Sequence, residues 1–277
     1  MSNVQIKTPV TYYGGKQNLA EKIVTMIPRH ILYAEPFTGG AAIFFAKHPS
    51  EVEVLNDTNG ELINLYRVIQ QNYEALYEEI KATLHSRELH RHAWVIYNNT
   101  DMFSEVKRAW ATWVLCCQSF ASMIDGGWGY DITGNTMNGK IQTKIDNFTK
   151  RLVKRLKNCQ LECADALKII KSRDHENSFF YCDPPYFNSD MGHYDGYSEQ
   201  DFENLLSLLA KIKGKFLLSA YPSSILAKYV KQYGWVELAI IQPIAVNAKN
   251  RKQKLKTEML VANYPFHLAQ NYGQLLF

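Results

Sequence analysis

Apolar positions follow two alternating patterns along most of this chain of 277 residues. Runs rich in β-branched and aromatic residues predict strands at 31–35, 52–56, 159–164, 178–182, 215–220, 235–241 and 258–263. Between them, apolar residues recur at helical spacing in segments such as 18–27, 59–69 and 198–212, the last with Ser198 as its N-cap. This alternation predicts an α/β fold with a mostly parallel sheet.

The middle of the chain departs from this alternation. Residues 70–144 show helical patterns and a glycine-rich stretch, GGWGYDITGNTMNG at 126–139, but little strand signal. We therefore predict a helical insertion over 70–144. It would be set into an α/β domain formed by residues 1–69 and 145–277.

Composition and charge narrow the class of protein. Hydrophobic residues make up 46% of the chain and charged residues 21%, as in ordinary globular proteins. A net charge of +4 is too small to prove a polyanionic partner, so clustering of charge matters more than its total. The five cysteines show no CxxC spacing, which disfavours disulfides and a zinc site. Without a signal core or an apolar spanning run, we expect a cytoplasmic protein with no membrane partner.

The stretch YAEPFTGGAAIFF at 33–45 joins a predicted strand to a predicted helix through a glycine turn. Small residues let a ligand approach the backbone, and a helix start offers N–H groups. Asp57 ends the next strand, where nucleotide-binding sheets place the acid that binds ribose hydroxyls. An ordinary loop followed by a helix cap is an equally good interpretation, and both stay open here.

A second stretch, SFFYCDPPYF at 178–187, runs a buried strand directly into a carboxylate. Asp183 should emerge at the carboxyl end of this strand, where open α/β sheets bind ligands. The two prolines stiffen the loop, and Tyr186 offers a flat face for stacking. A carboxylate, a carbonyl and an aromatic face suit a planar group that carries an NH2. The alternative is a proline turn with a solvated carboxylate.

Four motifs of the chain occur in the order YYGGK (12–16), EPFTGGAAIFF (35–45), VLND (54–57) and CDPPY (182–186). Together they resemble the DNA adenine methylase family, over 9–69 and about 145–264. The resemblance implies a Rossmann-like methyltransferase sheet of about seven strands, mostly parallel, with a helical target-recognition insertion. It also implies S-adenosylmethionine as the methyl donor and adenine in double-stranded DNA as the acceptor.

The resemblance further assigns residues to cofactor binding, and no metal is expected. These residues are Tyr13, Gly14, Lys16, Glu35, Pro36, Phe37, Gly39, Asp57, Asp165 and Asp183. Lys16 would pair with the methionine carboxylate, and Asp57 would hold the ribose hydroxyls. Asp165 would lie near the cofactor's adenine, although a helix cap is an equally good interpretation.

Catalysis is assigned by the same motif to Asp183, Pro184, Pro185 and Tyr186. Asp183 and the Pro184 carbonyl would accept the two amino hydrogens of adenine. A carboxylate with a pKa near 4 cannot deprotonate a neutral amine first, so Asp183 would stabilise developing charge and take a proton afterwards. Because a paired base is out of reach, the base must be flipped, and Tyr186 is expected to stack on it.

Two stretches are candidates for contact with DNA. The basic run at 247–258 lies between the last two predicted strands, and its Lys249, Arg251, Lys252 and Lys254 would neutralise phosphates. In the middle segment, Trp128 and Lys140 would read bases or, equally, belong to a glycine-rich turn. The target sequence is not indicated.

Two other functions stay open. The chemistry would also serve methylation of adenine in RNA, and a non-catalytic regulator would bind cofactor and DNA without turnover. The intact DPPY and glycine turn favour an active enzyme over the regulator. A cognate restriction enzyme is a candidate partner, and the resemblance favours a monomer.

Overall fold

The computed structural model describes residues 6–187, 196–243 and 255–266. Its strands are β1 (Leu32–Glu35), β2 (Val52–Asn56), β3 (Cys159–Glu162), β4 (Ser178–Cys182), β5 (Lys215–Ala220), β6 (Val236–Pro243) and β7 (Leu255–Ala262). The helices of the first half are α1 (Ala20–Met26), α2 (Ala42–Ala46), α3 (Gly60–Gln71), α4 (Tyr73–Lys81), α5 (Arg87–Asn98) and α6 (Glu105–Gln118). Those of the second half are α7 (Thr136–Asn147), α8 (Lys150–Leu156), α9 (Ala166–Arg173), α10 (Glu199–Leu209) and α11 (Ser224–Tyr233).

The predicted α/β class is confirmed by a seven-stranded sheet in the order β3-β2-β1-β4-β5-β7-β6. The pairs β2–β3, β1–β4 and β4–β5 are parallel, whereas β7 runs antiparallel to both β5 and β6. A mostly parallel sheet with an antiparallel edge is a common α/β arrangement. Within the described residues, no helix is long and apolar enough to cross a membrane.

Strand bounds follow the sequence prediction closely, except at the antiparallel edge. Strands β2, β4 and β5 have the predicted bounds. Strand β7 begins at Leu255, three residues before the predicted start, because its ladder with β6 continues to the pair Pro243–Leu255. The apolar pattern misses this extension, since polar Lys256 and Thr257 occupy it. Ser198 caps α10 as predicted, in a reciprocal capping box with Asp201.

The chain divides into two compact units. The first unit comprises residues 1–24 and 38–165, and the second comprises 25–37 and 166–277. The first unit contains β2, β3 and helices α2 to α8, with α6 buried along most of its length. Helices α4, α5 and α6 and most of α7 fall within the range of the predicted insertion.

The second unit contains β4, the strand that leads into the DPPY motif, and its neighbour β5. All five residues of β4 are buried, as expected for a central parallel strand covered on both faces. The carboxyl ends of β4 and β5 lie at one edge, since Cys182 pairs with Leu218. Strand β7 starts at this same edge, because Met259 pairs with Ala220.

Candidate active site

The glycine turn before α2 is shaped by an aromatic ring that lies against it. Gly39 has a φ of +47°, and a Cβ atom there would lie 3.1 Å from Tyr12 Cδ1. A Cβ atom on Gly40 would lie 3.1 Å from Tyr12 Cβ. Both positions therefore require glycine for close packing, and Gly39 requires it for its backbone conformation as well. Tyr12 thus brings the YYGGK and TGG motifs together within the first unit.

Asp57 is fixed at the end of β2 by main-chain donors. Its Oδ2 accepts a hydrogen bond from Gly39 N at 2.9 Å, and its Oδ1 accepts one from Asn59 N at 2.9 Å. A carboxylate has about four acceptor positions, so about two are left for further donors such as ribose hydroxyls. Burial raises the pKa of Asp57, although the two N–H groups oppose this shift.

The cap of α3 is Asn59 rather than Asp57. Asn59 Oδ1 accepts hydrogen bonds from Glu61 N and Leu62 N, while Asn59 Nδ2 donates to Tyr97 Oη at 3.0 Å. Asn59 therefore links the Asp57 turn to α5. Sequence analysis missed both partners: the Asn-before-helix pattern would have indicated Asn59, whereas no local signal indicates Tyr97.

The other predicted cofactor residues of the first unit lie in the N-terminal turn and after β3. Lys16 is only 7% exposed, and its Nζ donates to the Gly14 carbonyl at 3.0 Å. Tyr13 beside it is half-buried. Asp165 is exposed and comes directly before α9.

Three more of the predicted cofactor residues lie at the end of β1 in the second unit. Glu35 is 2% exposed and accepts a hydrogen bond from Tyr33 Oη at 2.6 Å. Pro36 is buried, and the half-buried Phe37 meets the Tyr197 ring edge-on at 6.3 Å between centroids.

The DPPY segment places a phenol between two carboxylates. Asp183 follows β4 directly and is half-buried, as is Pro185, while Pro184 is buried. Tyr186 is 8% exposed, and its hydroxyl lies 3.0 Å from Asp183 Oδ1. The same hydroxyl also lies within hydrogen-bonding distance of Glu258 Oε1. Burial, reinforced by the charges of Asp183 and Glu258, raises the pKa of Tyr186, so that it remains a neutral phenol.

Sequence analysis did not assign a role to Glu258, which lies on β7 and is only 1% exposed. Its Oε2 is 3.6 Å from Lys256 Nζ. The Lys256 ammonium in turn lies 4.6 Å from the centroid of the Tyr221 ring, which is 4.3 Å from that of Tyr186. One sequence signal could have indicated Glu258: it is an acidic residue at the start of the apolar run EMLVA. A buried carboxylate at such a position requires a partner.

Cys182 adjoins this cluster, but its chemistry is not that of a nucleophile. The residue is fully buried, and burial, with a further contribution from Asp183, raises the pKa of its thiol. Because the reactive form of cysteine is the thiolate, a raised pKa makes this thiol inert.

The candidate DNA contacts of the first unit lie at an isolated antiparallel bridge and on α7. Trp128 pairs with Ser119 and packs against His85 at 4.7 Å and Tyr130 at 5.5 Å between ring centroids. The Arg87 guanidinium lies 4.8 Å from the Trp128 ring centre. Lys140 is exposed on α7, so the predicted glycine-rich turn continues into a helix here.

Four predicted DNA contacts of the basic run between β6 and β7 lie outside the described residues: Lys249, Arg251, Lys252 and Lys254. The strands on either side of it pair as far as Pro243 and Leu255. The end of β6 and the start of β7 therefore lie at the edge of the sheet where β4 and β5 end.

Comparison with known proteins finds similarity to one family over most of the chain. Residues 12–244 match the family described as D12 class N6 adenine-specific DNA methyltransferase. The type II methyltransferase M1.LlaDCHI of Lactococcus lactis subsp. cremoris is 28% identical over 95% of this chain and 97% of its own length. The type II methyltransferase M.MjaIII of Methanocaldococcus jannaschii is 24% identical over 94% of this chain and all of its own.

Similarity also extends to a phage enzyme and to a solved structure. The DNA N-6-adenine-methyltransferase of Escherichia phage P1 is 26% identical over 71% of this chain and 27% of its own length. A precorrin-6y C5,15-methyltransferase structure from Geobacter metallireducens has a TM-score of 0.38 and 8% identity, covering 89% and 85% of the two chains, and supports no further conclusion. On the match over residues 12–244, the chain belongs to the D12 class of N6 adenine-specific DNA methyltransferases.

Proposed function

We propose that this enzyme transfers a methyl group from S-adenosylmethionine to the exocyclic nitrogen of adenine in double-stranded DNA, after the base has been flipped out. The observation that carries the proposal is the position of Asp183 at the end of the buried strand β4, hydrogen-bonded by Tyr186. An acceptor held at that edge is suited to the two hydrogens of an amino group.

Asp183 would act as an acceptor during transfer and as a base after it. The adenine amino nitrogen is a weak nucleophile because its lone pair is delocalised into the ring. Hydrogen bonds to Asp183 and to the Pro184 carbonyl would favour the geometry in which that lone pair is available. Charge develops on the nitrogen as it reacts, and a fixed carboxylate stabilises this charge. No covalent enzyme intermediate is required.

The first unit supplies features that fit the cofactor. Asp57 has spare acceptor positions for ribose hydroxyls, and the turn at Gly39 allows close approach of a ligand. Lys16 is a buried cation suited to a carboxylate. When bound, S-adenosylmethionine would supply an electrophilic methyl group. We propose Tyr13, Gly14, Glu35, Pro36, Phe37 and Asp165 as further cofactor contacts on the basis of the matching motifs.

Recognition of DNA is proposed for the helical range 70–144 and for the basic run at 247–258. Trp128 and Lys140 are the candidates in the first, and Lys249, Arg251, Lys252 and Lys254 in the second. Tyr186 is proposed to stack on the flipped base, and the contacts of its hydroxyl with Asp183 and Glu258 would fix the plane of its ring. Because several relatives are named type II methyltransferases, we also propose a cognate restriction enzyme as partner, with this chain acting as a monomer.

The test is competition between substrates for labelled methyl groups. Unmethylated duplex DNA and an RNA of matched composition would be incubated together with the enzyme and labelled S-adenosylmethionine. We expect label only in DNA, as N6-methyladenine within one short sequence motif. Preferential labelling of RNA, or label on another base, would contradict the proposal.

A further inference from the structure

The Tyr186 hydroxyl has one hydrogen but lies within hydrogen-bonding distance of two carboxylate oxygens, those of Asp183 and Glu258. A phenol donates a single hydrogen bond, and an ionised carboxylate only accepts. Both contacts can therefore be hydrogen bonds at the same time only when one of the carboxyl groups carries a proton. The described geometry is that of a cluster with room for one proton beyond the phenolic one.

Several charged and titratable groups lie near this cluster. Glu258 is 1% exposed, so bulk water is not its principal partner. Among the described residues, the charged and titratable groups near the cluster include Lys256 and Tyr221 at the β7 side and Tyr181 and Cys182 from β4, and Glu35 acts on Tyr181. Among the groups named, Lys256 is the cation, and its Nζ lies 3.6 Å from Glu258 Oε2.

Resting on the proposed function, we infer that Asp183, Tyr186 and Glu258 form a proton-sharing cluster. In it, Glu258 is a positioning residue that acts through the Tyr186 hydroxyl and takes up the proton lost by the methylated amino group. The residue also lies beside the ladder pair Met259–Ala220, at the edge where β4 ends. Its location on a strand rather than a loop keeps its distance from Tyr186 fixed.

The protons and electrons of the methyl transfer balance without an additional reagent. The amino nitrogen forms its bond to the methyl carbon as the carbon–sulfur bond breaks and its electrons pass to sulfur. One N–H bond then breaks, its electrons return to nitrogen, and the proton passes to Asp183. Tyr186 receives that proton from Asp183 while its own hydrogen moves to Glu258. Asp183 is thereby ionised again, and the proton is held at Glu258.

The variant that tests this is Glu258→Gln, which keeps the shape and an acceptor oxygen but cannot take up a proton. We would measure single-turnover methyl transfer against pH, with saturating cofactor and duplex DNA. Loss of a coupled carboxylate should move the acidic limb of the profile to lower pH by about one unit or more. The maximal rate should fall by about ten- to a hundredfold. Glu237→Gln, at an exposed position on the neighbouring strand β6, is the matched control and should change neither.

A reduced rate with an unmoved acidic limb would mean that Glu258 is only structural, and would overturn the inference. Should Glu258→Gln fail to fold, Tyr186→Phe keeps the aromatic ring and removes the hydroxyl that lies between the two carboxyl groups. Because the ionised Asp183 then loses a hydrogen-bond donor while Glu258 is retained, the acidic limb should move to higher pH, and an unmoved limb would overturn the inference. An infrared titration of the protein alone provides a readout that does not depend on transfer. We expect a protonated-carboxyl band that is present in the wild type and in Glu237→Gln but missing from Glu258→Gln. Identical titrations in the three proteins would overturn the inference, whereas a wild type with this band but no transfer would contradict only the proposed function.

Discussion

The two carboxylates that follow β2 and β4 have different neighbours. Asp57 accepts hydrogen bonds from two main-chain N–H groups, whereas Asp183 lies beside the side-chain hydroxyl of Tyr186, which also contacts Glu258. Main-chain donors neither give up nor take up a proton, so they fix the orientation of a carboxylate without exchanging protons with it. A phenol placed between two acids can exchange a proton with both.

This difference matches two kinds of chemical work. Binding neutral hydroxyls requires an acceptor of constant geometry, which Asp57 has. Stabilising charge that appears during a reaction, and then removing a proton, requires an acceptor connected to further proton-carrying groups. We therefore expect changes at Asp57 to affect cofactor affinity and changes at Asp183 to affect the rate of transfer.

Removing the acceptor at Asp183 should have the largest effect. In Asp183→Ala the amino hydrogens lose their acceptor, and the rate of single-turnover transfer should fall by at least about 10²- to 10³-fold. The variant should retain cofactor affinity, which calorimetry would measure. Retained turnover in this variant would show that the acceptor lies elsewhere.

Asp57→Asn should weaken cofactor binding while leaving transfer at saturation nearly intact. Hydrogen bonds to a charged group contribute about 1.5–3 kcal/mol, so the dissociation constant should rise by about ten- to a hundredfold. Asp101→Ala, at an exposed position, is a suitable control. If the variant instead lost its maximal rate at unchanged affinity, the division of labour between the two acids would be wrong.

The cofactor affinity should also depend on pH through Asp57. Burial raises its pKa, so the ionised acceptor is lost at a higher pH than for an ordinary carboxyl group. Affinity should therefore fall as the pH is lowered through this raised pKa, and Asp57→Asn should show a flat profile. Stability has the opposite sign: the fold favours the protonated form, so this contribution is lost as pH rises through the same pKa.

The glycine turn offers a smaller test, of stability rather than chemistry. Gly39→Ala places a Cβ atom 3.1 Å from Tyr12 at a φ of +47° and should destabilise the protein by about 1–3 kcal/mol. Gly139→Ala is the counterpart, since nothing lies within 4 Å of its added Cβ on α7. It should stabilise the protein by about 0.5–1 kcal/mol. Urea denaturation would measure both, and equal effects would argue against the packing role of Tyr12.

Replacing Cys182 should have the smallest effect on activity. Its thiol has a raised pKa and is fully buried, so Cys182→Ala should keep its transfer rate and lose only about 1 kcal/mol of stability. Transfer and thermal unfolding would be measured side by side. Loss of transfer in a folded variant would revive a role for the thiol.

Local sequence signals account for much of the fold. The strand bounds at 52–56, 178–182 and 215–220 and the cap at Ser198 follow from apolar runs and from residue types with known local preferences. The antiparallel start of β7 does not, because pairing with β6 extends the strand into polar residues.

Fewer features of the candidate site could be predicted from local sequence signals. Asp57 and Asp183 stand at strand ends, which a one-dimensional pattern can locate. Glu258 lies 72 residues after Tyr186, and Tyr97 lies 38 residues after Asn59, so their contacts depend on the tertiary fold. The same holds for the approach of Tyr12 to the glycine turn. No local spacing indicates such partners.

The most direct test compares wild type with Asp183→Ala in two parallel measurements, cofactor binding and transfer of labelled methyl groups to unmethylated duplex DNA. The proposed function predicts equal binding, with N6-methyladenine formed by the wild type and almost none by the variant. Comparable methylation by both proteins, or loss of cofactor binding as the sole defect, would contradict the assignment of Asp183 as the acceptor for the amino group.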